Sequence, residues 1–145
     1  MIKQGVTSAG FIRRFGALIY DWLSIIAIWF LQTALLLPFT QGEALPEQGL
    51  AHWAYLALLY SSALGFFLFF WHRNGQTLGM RAWRIRLVGE QGTTPALRNL
   101  LLRALWAAPS WGLAGLGTLW LYIDPQRRAW QDRFSQTRLI LENVK

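Results

Sequence analysis

The sequence of 145 residues contains no cysteine, which excludes disulfide bonds, thiol nucleophiles and cysteine metal sites. Cysteine usage therefore says nothing about the redox compartment. The chain also lacks an HExxH helix, a nucleophile elbow, a Walker phosphate loop and a paired-carboxylate site. We therefore expect a protein that is not an enzyme and that binds no metal or cofactor.

Acidic residues are scarce as well. Seven Asp and Glu stand against fourteen Lys and Arg, so the formal net charge is +7. A basic chain can bind nucleic acid, and the placement of the charges decides whether it does. Here the basic residues lie at the edges of long apolar runs. We therefore expect no nucleic-acid partner.

Apolar residues are abundant, at 54% of the chain, and nine Trp and nine Phe are among them. Three nearly uncharged runs cover residues 15–39, 51–71 and 104–123. Each is close to the roughly twenty residues that a helix needs to cross about 30 Å of hydrocarbon. These features predict one multi-pass membrane domain over residues 1–145, with the lipid bilayer as a partner. The first run lacks a small-residue cleavage site, so we expect a retained anchor.

The distribution of arginines predicts the orientation. The first connection, TQGEALPEQG, contains Glu43 and Glu47 and no basic residue, whereas the segments before the first run, between the second and third runs, and after the third are basic. The positive-inside rule therefore puts the amino terminus in the cytoplasm and the connection with Glu43 and Glu47 outside.

The third run conflicts with this rule if it spans the membrane, because a third crossing would place the basic carboxyl terminus outside. Helix-weakening residues interrupt the run at Pro109, Gly112, Gly115 and Gly117. We therefore predict a broken or re-entrant segment that turns near Pro109–Gly112 and returns to the cytoplasm; the alternative is a kinked full span. The re-entrant form must pack on the first two helices, since irregular backbone at that depth requires protein around it.

Two cytoplasmic stretches have the pattern of short strands. In WRIRLVGEQG, Arg84 and Arg86 alternate with Ile85 and Leu87, and a turn follows; TRLIL near the end is the second stretch. We predict that they form a small β-hairpin-like pairing. The preceding GQTLG has no lysine of a phosphate loop and predicts a turn at the membrane exit. The fold class is thus all-α and membrane-integral, with two transmembrane helices, the broken third segment and this pairing.

An aspartate, Asp21, lies inside the first apolar run. A carboxylate at the bilayer centre costs about 2.5–3.5 kcal/mol on insertion scales, so Asp21 needs a compensating partner. Arg14, seven residues earlier, shares its helix face but lies about 10 Å away along the axis. We predict that Asp21 pairs with Arg103, or else with Arg133. Both pairings belong to one buried cluster at the cytoplasmic end, made of Arg14, Asp21, Arg103, Asp132 and Arg133.

Three separated motifs, AGFIRRFGALIYD, GQTLGMRAWRIRLV and RRAWQDRFSQTRLI, resemble in order the RDD family of small bacterial membrane proteins, named for one arginine and two aspartates. The resemblance places the arginine at Arg14 and the aspartates at Asp21 and Asp132. The family usually has a histidine before the last aspartate, where this chain has Gln131, so no proton role carries over to that position. The resemblance also implies location in the bacterial plasma (inner) membrane.

Two functions remain open. The first is a structural or accessory subunit, clamped by its Arg/Asp cluster and bound to a larger membrane complex. The second is a small transporter, and cation/proton exchange is suggested for some members of the family that the chain resembles. A chain this short encloses a pathway only as a homo-oligomer, so the oligomeric state distinguishes the two. The sequence names neither a substrate nor a partner protein.

Overall fold

The computed structural model describes residues 7–41 and 48–142, and its two longest helices are the two predicted spans. Helix α1 covers Phe11–Leu36 and continues into a 3-10 turn at Leu37–Thr40, and helix α2 covers Leu50–Asn74. Both exceed the roughly twenty residues needed to cross a membrane. Only 6% of the most apolar window of each helix is buried. Such exposure is what helices that face lipid show. Residues 42–47 of the first connection, which include Glu43 and Glu47, lie outside the described residues.

The third apolar run folds as a helix that reverses direction. Helix α4 covers Leu97–Gly112, and helix α5 follows at Leu116–Leu119, continuing into a 3-10 turn at Trp120–Tyr122. The two helices pack together, because Ser110 Oγ lies 3.3 Å from Thr118 Oγ1. The third run is not among the helices, within the described ranges, that are long and apolar enough to span a membrane.

The break in this segment lies later than predicted. Pro109 is inside α4, and the chain reverses at Ala114 and Gly115, whose φ angles are 53° and 77°. The left-handed backbone of these two residues makes the turn, and glycine adopts it without strain. The missing N–H of Pro109 weakens only the last turn of α4, so the predicted break at Pro109–Gly112 was wrong by a few residues.

The predicted pairing of the two strands is confirmed. Strand β1, Ile85–Gly89, pairs antiparallel with β2, Thr137–Leu141, in a register that aligns Leu87 with Leu139. The pairing is not a hairpin, because α4, α5 and the short helix α6 at Trp130–Phe134 lie between the strands in sequence. The residues before α1 join the sheet, since Ala9 N donates to Leu139 O at 2.8 Å. The start of α1 and the last strand therefore lie at one end of the molecule.

The core lies at this same end. A five-residue helix, α3 at Leu78–Ala82, links α2 to β1 and packs on α1. The buried apolar side chains form one cluster, to which the residues before α1, both strands and helices α1, α2, α3 and α4 contribute. Its members are Ala9, Ala17, Trp71, Met80, Ile85, Leu87, Leu100 and Leu139. Away from this core, α1 and α2 expose large apolar side chains, Phe30 at 77% and Trp53 at 68% among them. The core thus fixes the helix ends at which the charged residues lie.

Candidate functional site

Asp132 is the centre of a buried ion-pair network. It lies on α6 and is 1% exposed. Arg14 Nη1 donates to its Oδ2 at 2.5 Å, and Arg103 Nη1 donates to its Oδ1 at 2.7 Å. Both arginines are 3% exposed. We call Arg14, Arg103 and Asp132 the triad; it joins α1, α4 and α6.

Further hydrogen bonds fix each member of the triad. The Ala129 N–H donates to Asp132 Oδ2 at 3.2 Å, and Arg14 Nε donates to Ala9 O at 2.8 Å. Arg103 Nη1 also donates to the hydroxyl of Thr137 on β2 at 2.9 Å. Buried charges of this kind are stable only when hydrogen bonds and opposite charges compensate their lost hydration. The triad meets this requirement for its carboxylate.

The charge state of Asp132 follows from these contacts. Burial alone raises the pKa of this carboxyl, but the guanidiniums of Arg14 and Arg103 outweigh burial and hold the pKa below its ordinary value. The carboxyl is therefore ionised at neutral pH. It lies as an anion between two cations.

Asp21 lies apart from the triad and has uncharged partners. It is 2% exposed and accepts hydrogen bonds from the Thr77 hydroxyl at 2.5 Å and from the Gly79 N–H at 2.8 Å. Thr77 is the N-cap of α3 and also accepts from Met80 N at 3.2 Å. A Cβ at Gly79 would lie 2.0 Å from Ala17 O on α1. Asp21 therefore holds the start of α3 in direct backbone contact with α1.

The predicted partners of Asp21 were wrong. Within residues 7–41 and 48–142, no guanidinium lies within ion-pair distance of Asp21. Arg103 is occupied by Asp132, and Arg133 is exposed. The exposure of Arg133 has a geometric cause, because neighbouring residues on a helix point about 100° apart and Asp132 takes the buried direction. The structure thus brings together three of the five residues of the predicted cluster.

The polar residues that bond to these charges were not predicted from the sequence. Thr77 and Gly79 belong to GQTLG, which was interpreted as a turn, and Thr137 belongs to a stretch that was interpreted only as a strand. Threonine is a favoured N-cap residue, so Thr77 was the one signal in the sequence from which the start of α3 could have been predicted.

Gln131, which stands where the family that the sequence resembles usually has histidine, is buried beside the triad. It is 3% exposed, and its Nε2 donates to Thr118 Oγ1 at 3.4 Å. An amide does not titrate, so this side chain contributes hydrogen bonds alone. In the part of the chain that the structure describes, no group of three or more His, Asp or Glu residues could hold a metal ion.

The Asp21 site allows a direct test by substitution. We expect Asp21→Asn to fold nearly as well as the parent, because asparagine keeps an oxygen for Gly79 N–H and can donate to the Thr77 hydroxyl. Asp21→Ala leaves both donors without an acceptor and should cost about 1–3 kcal/mol for each. Denaturant unfolding in detergent measures both variants, with Ser24→Ala on the same helix as a near-neutral control.

The two substitutions at Asp21 also distinguish the observed partners from the predicted one. If Asp21 were paired with an arginine, Asp21→Asn would leave a buried cation uncompensated and would be nearly as destabilising as Asp21→Ala. A loss of that size in Asp21→Asn would contradict the contacts with Thr77 and Gly79.

Comparison with known proteins gives a family and no closer relative. No curated protein and no solved structure matches the chain. The sequence model of the RDD family matches residues 8–136, a range that includes the triad, Asp21 and nearly all of the described structure. The two exposed apolar helices agree with a membrane protein. The chain therefore belongs to the RDD family.

Proposed function

We propose that the chain is a structural or accessory subunit of a larger complex in the bacterial plasma membrane, and that it catalyses no reaction itself. The observation that carries this proposal is the saturation of Asp132: both of its oxygens are held by buried donors of the same chain. A carboxylate held in this way ties helices together. It stabilises a rigid membrane module that a partner can bind.

The alternative, cation/proton exchange by a homo-oligomer, has less support in the geometry. A carboxyl that carries a proton or a cation must reach water and change its charge near neutral pH. Asp132 is 1% exposed, and its pKa lies below the ordinary value. Asp21 is also buried, and both of its oxygens already accept hydrogen bonds. Both carboxyls are therefore better suited to fixing structure than to carrying ions.

For the topology, we propose that α1 and α2 span the membrane, that α4 and α5 form a re-entrant hairpin, and that both termini are cytoplasmic. The contact of Ala9 with Leu139 supports a common side for the start of α1 and the last strand. The packing of Ser110 on Thr118 supports the return of the third segment. Arginines between the second and third runs and near the end of the chain favour the cytoplasm for this side.

Cysteine labelling tests this topology, because the chain has no native cysteine. We expect single cysteines at Gly5, Gln91 and Asn143 to react only with a reagent that enters the cytoplasm, and one at Gly42 to react from outside. Gln91 is an exposed residue after β1, whereas the other three positions lie outside the described residues. Labelling of Asn143 from outside, with Gln91 inside, would instead establish a kinked full span.

Purification from native membranes tests the proposed function. We expect the tagged chain to co-purify with an unrelated membrane protein at a fixed ratio. The matched control is the same preparation after Asp132→Ala, which should retain less of the partner because the ion pairs that join α1, α4 and α6 are lost. A homogeneous homo-oligomer without another protein, active in cation-dependent proton flux in proteoliposomes, would instead establish the transporter.

A further inference from the structure

A polar pocket of about 600 Å³ lies at the end of α2, beside α3 and β1. Its volume falls within the roughly 300–1,000 Å³ range of small-molecule sites in proteins. Its charged lining residues are Arg73 on α2, Arg81 on α3, Arg86 on β1 and Glu142 directly after β2. Four segments of the chain therefore bring charged side chains to one place.

Arg86 and Glu142 neutralise each other in this pocket. Arg86 Nη2 and Nε donate to Glu142 Oε1 at 2.5 and 3.1 Å, and Gln76 Nε2 donates to Glu142 Oε2 at 2.9 Å. These hydrogen bonds, that of Arg86 above all, hold the pKa of Glu142 below its ordinary value. Arg86 Nη1 donates to Asn74 O at 3.0 Å. Arg86 is therefore occupied by groups of the chain itself.

Arg73 and Arg81 remain as exposed cations. Among the residues that the structure describes, neither has a carboxylate within ion-pair distance. The charge of Arg81 also lowers the pKa of Glu142, so this guanidinium lies near the Arg86 ion pair. Three arginines and one glutamate leave the pocket with a formal charge of +2. The accessible part of that charge belongs to Arg73 and Arg81.

The buried carboxylates do not offset this charge. Asp21, which accepts a hydrogen bond from Thr77 in the pocket wall, is one of two buried aspartates. The other is Asp132, and the formal charges of the two together balance the two buried arginines of the triad. An anion from outside the chain is therefore the complement that the pocket charge favours.

Arg73 also lies at the edge of an apolar pocket on α2. This second pocket has a volume of about 480 Å³ and is lined by Leu68, Phe69, His72, Arg73 and Leu97. Phe69 is 56% exposed and Leu97 is 52% exposed. The basic pocket thus adjoins apolar surface at the end of a helix that is long and apolar enough to cross a membrane. Free phosphate would contact only the basic pocket, whereas a phospholipid would also bury apolar surface in the second.

We propose that the two pockets bind an anionic phospholipid, with its phosphate at Arg73 and Arg81 and one acyl chain along Leu68 and Phe69. Guanidinium groups match the geometry of phosphate oxygens and donate charge-assisted hydrogen bonds to them. Basic pockets beside membrane helices on the cytoplasmic side are suited to such head groups. The inference rests on the proposed membrane span of α2, which cysteine labelling tests separately, and it holds for an accessory subunit and for a transporter.

Equilibrium binding of radiolabelled dioctanoyl phosphatidylglycerol to the full-length protein in a nonionic detergent tests the proposal. We expect one saturable site per chain. Dioctanoyl phosphatidylcholine has the same acyl chains and a zwitterionic head, and it should compete at least about fivefold more weakly, since one arginine near a membrane surface contributes about that factor to the binding of an anionic lipid. The absence of a saturable site, or equal competition by phosphatidylcholine, would overturn the proposal.

Competitors without acyl chains identify the source of the phosphate. Inorganic phosphate and glycerophosphoglycerol can occupy only the basic pocket, so we expect both to compete more weakly than the phospholipid by at least about tenfold. Competition by glycerophosphoglycerol that equals that of phosphatidylglycerol would overturn the lipid assignment and establish a soluble phosphate ester as the ligand.

Substitutions of exposed arginines separate this site from a general effect of net charge. Arg73→Gln and Arg81→Gln should each lower the affinity for phosphatidylglycerol about fivefold, and the double variant about twenty-fivefold. The matched control, Arg133→Gln, removes the same charge from an exposed residue of α6 and should change the affinity less than about twofold, because solvent screens a distant charge. An equal loss in Arg133→Gln would show that the lipid responds to net charge alone and would overturn the site.

Glu142→Gln should have the opposite effect. It removes the carboxylate beside Arg86, so the formal charge of the pocket rises from +2 to +3 and the affinity for phosphatidylglycerol should increase about fivefold. The two side chains of this ion pair are 40% and 39% exposed, so we expect thermal unfolding to change little. A lowered affinity with unchanged thermal unfolding would contradict an anionic ligand in this pocket.

Discussion

Asp132→Ala is expected to lower the free energy of unfolding by about 3–5 kcal/mol, because it removes one side of a buried ion-pair network and leaves two guanidiniums uncompensated. Arg14 and Arg103 are each 3% exposed, so water does not replace the lost carboxylate. Denaturant unfolding in detergent measures the loss. We expect the variant to express at a reduced level, since a change of this size is a large part of the stability of a small domain.

A surface pair gives the matched control for Asp132→Ala. Glu90 accepts from Arg128 Nη1 at 3.0 Å, and the Glu90 side chain is 44% exposed. Glu90→Ala removes an ion pair of the same chemistry in a solvated place, so it should cost less than about 1 kcal/mol. Equal effects of the two substitutions would show that burial does not decide the strength of the triad.

Acid unfolding gives an independent measurement of the same ion pairs. The pKa of Asp132 is lower in the folded than in the unfolded chain, since Arg14 and Arg103 outweigh the effect of burial. A lowered folded-state pKa contributes stability above the ordinary value near 3.9, and this stability is lost as the pH falls towards the folded-state pKa. Between about pH 5 and 8, Asp132 is ionised in both the folded and the unfolded chain, so it should add little pH dependence to the free energy of unfolding. Below that range, Asp132→Ala should lose less stability than the parent.

Gly79→Ala is the second substitution with a large expected effect. Its Cβ would lie 2.0 Å from Ala17 O and 3.0 Å from Asp21 Cγ, so α3 must move away from α1. The movement overpacks the interface and breaks the hydrogen bond from Gly79 N–H to Asp21. Together these changes should cost about 3 kcal/mol or more. Thermal unfolding in detergent, followed by circular dichroism, measures the loss.

Gly65→Ala is the control for Gly79→Ala, because Gly65 also lies in a helix and nothing is within 4 Å of its added Cβ. Alanine has the higher helix propensity, so this variant should be more stable than the parent by about 0.5–1 kcal/mol. A Gly79→Ala protein as stable as Gly65→Ala would contradict the close packing of α3 on α1.

The parts of the fold that repeat a simple pattern were predictable from the sequence. Apolar runs longer than a membrane span predicted α1 and α2, and alternation predicted β1 and its pairing with β2. Helix α3 has only five residues, Leu78–Ala82, which is too short for a helical period to show. Its position is decided by its contacts with α1. The turn at Ala114 and Gly115 was misplaced because Gly112, Gly115 and Gly117 can each adopt a left-handed backbone, and the sequence does not tell which one does.

The sequence predicted which charged residues belong to the candidate site, but not which of them form ion pairs with each other. The charges of Arg14, Arg103 and Asp132 stand out in an apolar chain, and the resemblance to the family marked two of them. Which carboxylate meets which cation depends on distances across three helices, and the sequence holds no such distances. Asp21 shows the difference, because a hydroxyl and a backbone N–H satisfy it, and neither group attracts notice in a search for opposite charges.

The long sequence separation within the triad sets the order in which the protein is completed during synthesis. Arg14 and Asp132 are 118 residues apart. A ribosome that adds 5–20 residues per second takes about 6–24 s to cover that distance. During this interval Arg14, and later Arg103, have been made but their acceptor has not. Closure of the triad therefore follows the synthesis of α6, after α1 and α4 are already made.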